Sequence, residues 1–208
     1  MRLIGMLDSP YVRRVAISLD LLGLPFQHES VSVFSTFEQF RAINPVVKAP
    51  TLVCDDDTVL MDSSLILQYL EASHSRALWP TEAAPLLQAF RAVSVALAAC
   101  EKSVQIVYER NLRPKAAQHE PWMERVTGQM LAAYAALEQE VQSRPDVFAD
   151  AGQQAAVTTA VVWEFVQSML APLVPAANYP GLAALSQRLE ATPPFQKYPS
   201  AGPGVSGL

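Results

Sequence analysis

The sequence predicts an α/β first domain on a mixed four-stranded sheet, followed by an all-α second domain. Three observations carry this. Five of the 30 alanines precede residue 81, and alanine is the strongest helix former, so the helical share of the chain rises sharply after Pro80. Up to that point, short β-type runs alternate with amphipathic runs. Two of the β-type runs, at 51–54 and 58–61, are separated only by Asp55-Asp56-Asp57. Strands joined so tightly must be antiparallel.

The first strand is expected at 2–6. Asp8-Ser9-Pro10 then starts a helix, with proline at its first position. Val12, Val15, Ala16, Leu19 and Leu22 recur at helical spacing, and Gly23 closes the helix. A second strand at 26–33 follows, and the βα crossover makes it parallel to the first. A short helix at 36–42 ends at Asn44-Pro45, the hairpin comes next, and Ser63–Ala72 forms a helix whose apolar face is Leu65, Ile66, Tyr69 and Leu70. The first domain is thus expected over 1–74, a proline-bearing linker over 75–84, and the second domain over 85–208. In the second domain, helices are expected near 85–110, 121–143, 153–170 and 179–190. Val126, Met130, Leu137 and Val141 make one core seam, and Leu182, Leu185 and Leu189 another. The tail 193–208, rich in Pro, Gly and Ser, is expected to be irregular.

Composition narrows the function classes. Half of the 208 residues are hydrophobic, 17% are charged and the net charge is −5. That supports a packed core and argues against a nucleic-acid partner, which needs a basic face. No run of about 18 apolar residues, hence no transmembrane helix, and no signal peptide is read, so a soluble cytoplasmic protein is expected. Cys54 and Cys100 are far apart and His28, His74 and His119 are scattered, so no metal site is expected. There is no GxGxxG, GxxxxGK[ST] or GxSxG motif. Arg13-Arg14 reads as solvated surface.

Three motifs remain, each with two readings. Ser9-Pro10-Tyr11 stands at a strand-to-helix junction. Its hydroxyl can cap the helix, or donate to an anion such as a thiolate at the same place. Lys48-Ala49-Pro50-Thr51 precedes the third strand. Pro50 is an ordinary strand-entry proline, or the site of a cis bond beside an extended peptide-like ligand. Asp62-Ser63-Ser64 opens a helix. It caps that helix, or holds an amino-acid head group, the hydroxyl and free amides taking the carboxylate and Asp62 the ammonium.

In order and at suitable intervals, Ser-Pro-Tyr-Val-Arg-Arg-Val, Asn-Pro-x-x-Lys-x-Pro-x-Leu and Asp-Ser-x-x-Ile-x-x-Tyr-Leu resemble the thioredoxin-like domain of the glutathione transferase family, closest to small bacterial members of serine type. The resemblance implies a thioredoxin-like first domain, a helical second domain, and a homodimer that uses glutathione as co-substrate and no cofactor. It puts Ser9 on the glutathione thiolate as the catalytic residue. It places the Ala49 backbone, ahead of a cis Pro50, on the cysteinyl unit, Lys48 near the glycyl carboxylate, and Asp62 and Ser63 on the γ-glutamyl head group. Tyr69 and Leu70 complete the motif as packing. A pocket for a small hydrophobic electrophile is expected between the domains, from Leu7, Tyr11, Val104 and Tyr108; Tyr11 is the rival thiol donor. The implied activity is conjugation of glutathione to that electrophile. The alternative is a non-catalytic binding or regulatory protein of the same fold. One departure stands out: where many members open a central helix with Ser/Thr-x-x-Asp, this chain has Gln153-Gln154-Ala155-Ala156.

Overall fold

The structure, a computed structural model, describes residues 1–202. It divides into two compact units: Met1–Leu78 with 193–202 of the tail, and Trp79–Thr192.

In the first unit, β1 (Arg2–Ile4), α1 (Pro10–Leu22), β2 (Gln27–Glu29), α2 (Phe37–Ile43), β3 (Thr51–Val53), β4 (Val59–Met61) and α3 (Ser63–Ala72) follow in chain order. The sheet order is β2-β1-β3-β4, with β1–β2 parallel and β1–β3 and β3–β4 antiparallel. This is the expected mixed sheet. Its strands are three residues each, so most of 26–33 is loop. Neighbouring strand residues point to opposite faces. Leu3 and Leu52 therefore pack with Val12, Val15, Ile66 and Leu70 of α1 and α3, while Ile4 and Val53 pack with Val31 and Phe40 on the other side. Pro10 starts α1, and Gly23 ends it in the left-handed region at φ 73.

Two expectations about surfaces fail here. Arg13 and Arg14 are not solvated: they are 1% and 2% exposed. Nor is all of the described tail irregular, although 198–202 is. Pro193–Lys197 forms a short helix, α8, packed on the first unit, and Phe195 is buried. One contact links the tail to Arg13, while Arg14 is held by the Ser63 and Ser64 hydroxyls. Arg13 lies 5.3 Å from the centre of the Phe195 ring and donates through Nε to the Tyr198 carbonyl at 2.8 Å, so its charge is solvated by the tail's backbone. Tyr198 in turn stacks on Phe26. The remainder of the tail, 203–208, lies outside the described residues.

The second unit holds α4 (Ala83–Leu112), α5 (Glu120–Ser143), α6 (Gln154–Leu170) and α7 (Pro180–Glu190), joined by short 3-10 turns. All four lie within a few residues of their expected positions. Against the expectation of no such stretch, α4 is long and apolar enough to cross a membrane, with a mean hydropathy of 1.5 in its best window. Its Ala92, Ala96, Ala99 and Cys100 are buried, and these small residues let α5 and α6 approach closely, as in the core helix of a bundle. Gln153 precedes α6 without a capping side-chain bond, so the departure from a Ser/Thr-x-x-Asp box is real in structure.

Candidate functional site

Register brings the three motifs to one end of the sheet. Ile4 pairs with Thr51, and Thr51 pairs with Met61. The residues that follow β1, precede β3 and follow β4 therefore leave the sheet side by side. These are the loop to Ser9, the stretch 48–50, and Asp62-Ser63.

Gly5 makes the first approach possible. It has φ 140, and a Cβ there would stand 2.6 Å from Val12 Cγ2 and 3.3 Å from Ala49 Cβ. Only glycine fits such a backbone so close to its neighbours. Ser9 caps α1: its Oγ accepts from the Val12 amide at 3.5 Å. A hydroxyl has one proton and two lone pairs, so this long bond leaves the proton to donate elsewhere. The capping and donor readings of Ser9 are thus compatible.

The Ala49–Pro50 bond is cis. No hydrogen bond among the described residues engages the Ala49 backbone. The loop around it is pinned by two residues that the sequence reading places in its motifs without giving either a role. Asn44, buried, donates to Thr51 Oγ1 at 2.8 Å and accepts from the Val46 amide, while Thr51 Oγ1 donates to the Lys48 carbonyl. An Asn directly after a helix and before a proline was the available signal, since its side chain can stand in for a turn of backbone.

Asp62 sits at φ 72, a strained conformation for a residue with a side chain. Its Oδ1 accepts from the amides of Ser64 and Leu65, at 2.9 and 3.3 Å, and its Oδ2 is 4.0 Å from Lys48 Nζ. That ion pair is half-exposed and worth at most about 1 kcal/mol, so a bound ligand's charges exchange for it readily. Ser63 is buried, and its Oγ accepts from Arg14 Nη1 at 3.3 Å.

The other candidates divide between the units. Leu7 and Tyr11, both half-buried, lie in the first; half-buried Val104 and exposed Tyr108 lie on α4 in the second. Tyr69 is not packing: it is 45% exposed, as is Leu65 at 60%, because the buried side of α3 is Ile66, Leu67 and Leu70. The chain's own thiols offer no reactive nucleophile. Both are buried, and burial with Asp56 and Asp55 pushes the Cys54 thiol up. Among the described residues, no group of three or more His, Cys, Asp or Glu is placed to hold a metal ion.

Residues 3–78 match the family described as glutathione S-transferase, N-terminal domain. Across the whole chain, the fold superposes with a TM-score of 0.86 on a glutathione S-transferase from Methylobacterium radiotolerans in complex with glutathione sulfonate, 29% identical and covered to 95%. Residues 3–78 thus form a domain of the glutathione S-transferase N-terminal type, and the chain as a whole has the fold of these transferases. A family member from Pseudomonas fluorescens with bound S-(propanoic acid)-glutathione is 26% identical, with a TM-score of 0.78 over 95% of this chain and 98% of that one. Among curated proteins, glutathione S-transferase U1 of Arabidopsis thaliana is 30% identical over 70 residues, 34% of this chain and 31% of that protein. A stringent starvation protein A homolog of Haemophilus ducreyi is 38% identical over 61 residues, 29% of this chain and 28% of that protein. The matches to these curated proteins span less than a third of their length. The mixed sheet is the thioredoxin-like domain, and the three converging motifs all lie in it.

Proposed function

We propose that this chain binds glutathione and activates its thiol for conjugation to a small hydrophobic electrophile. The observation that carries the reading is the convergence of Ser9, the Ala49 backbone and Asp62-Ser63 at one sheet end, in a chain whose structural relatives hold glutathione derivatives. Glutathione has a matching set of groups. Its extended cysteinyl unit pairs with the Ala49 backbone ahead of Pro50, and its glycyl carboxylate lies toward Lys48. Its γ-glutamyl ammonium goes to Asp62 and the α-carboxylate to Ser63. The sulfur then falls to the Ser9 hydroxyl, the first residue before a helix N-terminus, where a thiolate is favoured. Holding thiolate and electrophile together supplies proximity; Leu7, Tyr11, Val104 and Tyr108 are the proposed electrophile contacts. The setting is cytoplasmic, where glutathione is kept reduced.

Calorimetric titration with glutathione tests binding, and a panel of aryl halides, epoxides and peroxides tests turnover. Binding without turnover of any electrophile would support the non-catalytic alternative; no binding removes the glutathione reading. Ser63→Ala is expected to weaken glutathione about tenfold or more, because a lost hydrogen bond to a charged group costs roughly 1.5–3 kcal/mol. An unchanged affinity in a folded Ser63→Ala protein would reassign the head group.

We also propose a homodimer. Leu65 and Tyr69 lie one turn apart on the outer side of α3, and with Val59 they give the first unit exposed apolar side chains. Leu87 and Phe90 of α4 do the same for the second. Leu65→Glu with Tyr69→Glu is expected to shift the sedimentation mass from dimer to monomer at micromolar concentration, and a wild-type monomer would refute the assembly.

A further inference from the structure

The described tail touches α1 at three levels. Lys197 Nζ donates to Asp20 Oδ1 at 2.5 Å, near the end of the helix. Arg13, nearer its start, donates to the carbonyls of Tyr198 and Phe195. Gly202 lies against the side chain of Asp8, just ahead of the helix. Between Pro10 and Asp20 an α-helix rises about 15 Å. The five steps from Lys197 to Gly202 span about 17 Å when extended. Residues 197–202 thus form a strap that follows α1 from its end back to its start.

The strap ends in a close approach. A Cβ on Gly202 would run into the Asp8 carboxylate and stand 2.8 Å from Asp8 Cβ. Any larger residue there must turn the Asp8 side chain or lift the strap. Asp8 is half-buried and immediately precedes Ser9, the proposed donor to the glutathione sulfur. An acid at that place opposes the role of Ser9, because a like charge within about 4–6 Å of a thiol disfavours its ionisation. The other titratable or charged groups of this sheet end do not offset it. Lys48 is paired with Asp62, Arg13 is taken up by the tail carbonyls, and His28 donates through Nε2 to the Gly5 carbonyl at 2.8 Å. Tyr11 is the second hydroxyl of the helix start, and 199–202 carry no charge. What remains is the direction in which the Asp8 side chain is turned, and that is toward the strap.

We propose that the strap is a positioning element for the thiol: through Gly202 it keeps the Asp8 carboxylate turned away from the sulfur that Ser9 serves. This rests on the glutathione reading and adds what prevents the acid beside Ser9 from opposing it.

The test is a pH titration of the thiol of bound glutathione, followed by the ultraviolet absorbance of the thiolate, which needs no electrophile. Gly202→Ala is expected to move the midpoint upward by about half a unit or more, which leaves about a third of the thiolate on the acid side. Asp8→Asn is expected to leave the midpoint where it is, because the carboxylate is already held off. In the Asp8→Asn background, Gly202→Ala should have no effect. Tyr198→Ala, which takes away the stack on Phe26 and so loosens the strap, serves where Gly202→Ala does not fold and should shift the midpoint in the same direction. An unmoved midpoint in the strap variants would overturn the proposal, as would a shift that survives Asp8→Asn, since the strap would then act on the loop without the charge. A downward shift in Asp8→Asn alone would also overturn it, by showing that the carboxylate bears on the sulfur with the strap in place. A wild type that binds no glutathione would instead remove the glutathione reading itself, and the proposal with it.

Discussion

Ser9→Ala is expected to leave glutathione affinity within a few-fold and to move the pH–rate profile of conjugation upward by about a unit or more. The bond from Ser9 is stronger to a thiolate than to a thiol, so it stabilises the reactive form differentially. The peptide part of glutathione supplies most of the affinity elsewhere, at Ala49, Asp62 and Ser63. A free thiol ionises near 8.5. Each unit by which Ser9 lowers that value raises the thiolate fraction at neutral pH about tenfold, or about 1.4 kcal/mol. Removing the hydroxyl therefore slows the reaction most on the acid side, and the variant and wild-type rates converge at high pH, where the thiol is ionised without help.

Because Ser9 also caps α1, the alanine variant loses some stability, about 0.5–2 kcal/mol for a cap of this kind. A stability loss scales the active fraction at every pH alike and cannot shift a profile. The shift is thus the diagnostic quantity. Tyr11→Phe runs beside it, since Tyr11 carries the second hydroxyl of this helix start. A profile moved only by Tyr11→Phe would transfer the role to Tyr11; a profile moved by neither would leave the amides at the start of α1 as the activating groups.

The parts of the fold legible in the sequence were those set by local chemistry. Pro10 and Gly23 bracket α1, Asp62 starts α3, and the aspartate triplet makes the β3–β4 turn, all within a residue or two of the structure. The motifs were legible as residue types, but the reason they meet was not. That depends on the antiparallel register of Ile4, Thr51 and Met61, which is a non-local pairing. The arginine pair was misread for a related reason. Basic residues on a helix are usually solvated, but Ile17 falls between Arg13 and Arg14 around the turn of α1, and it is fully buried. An apolar residue on the presumed wet face was the sign that this helix is covered all round. The partners that cover it, Ser63 and the tail carbonyls, are 49 to 185 residues away, beyond what spacing can show.

Glu138→Ala is expected to destabilise the second unit by about 2–4 kcal/mol, from the loss of a cap supplied across the chain. The start of α7 has no local capping bond. Pro180 has no N–H to satisfy, the Ala183 amide reaches the Tyr179 carbonyl, and the amides of Gly181 and Leu182 go to Glu138 at 2.7 and 2.8 Å. The first turn is thereby fully satisfied, by a carboxylate that also favours the positive end of the helix dipole. Alanine leaves both amides unmet, that of Leu182 buried and that of Gly181 part-buried. Glutamine retains one acceptor and points an NH2 at the other amide, so it should recover less than half of the loss. Glycine at 181 belongs to the same arrangement, since a Cβ there would lie 2.9 Å from Glu138 Oε1. Gly181→Ala should therefore destabilise the wild type but cost less once Glu138 is alanine, a non-additivity that an independent helix-propensity effect would not show. Urea unfolding followed by tryptophan fluorescence is suited to the measurement, because Trp163 packs 5.7 Å from the Tyr179 ring at this junction. A loss below 1 kcal/mol for Glu138→Ala, or strict additivity with Gly181→Ala, would show that solvent takes over the amides and that the carboxylate is not what starts α7.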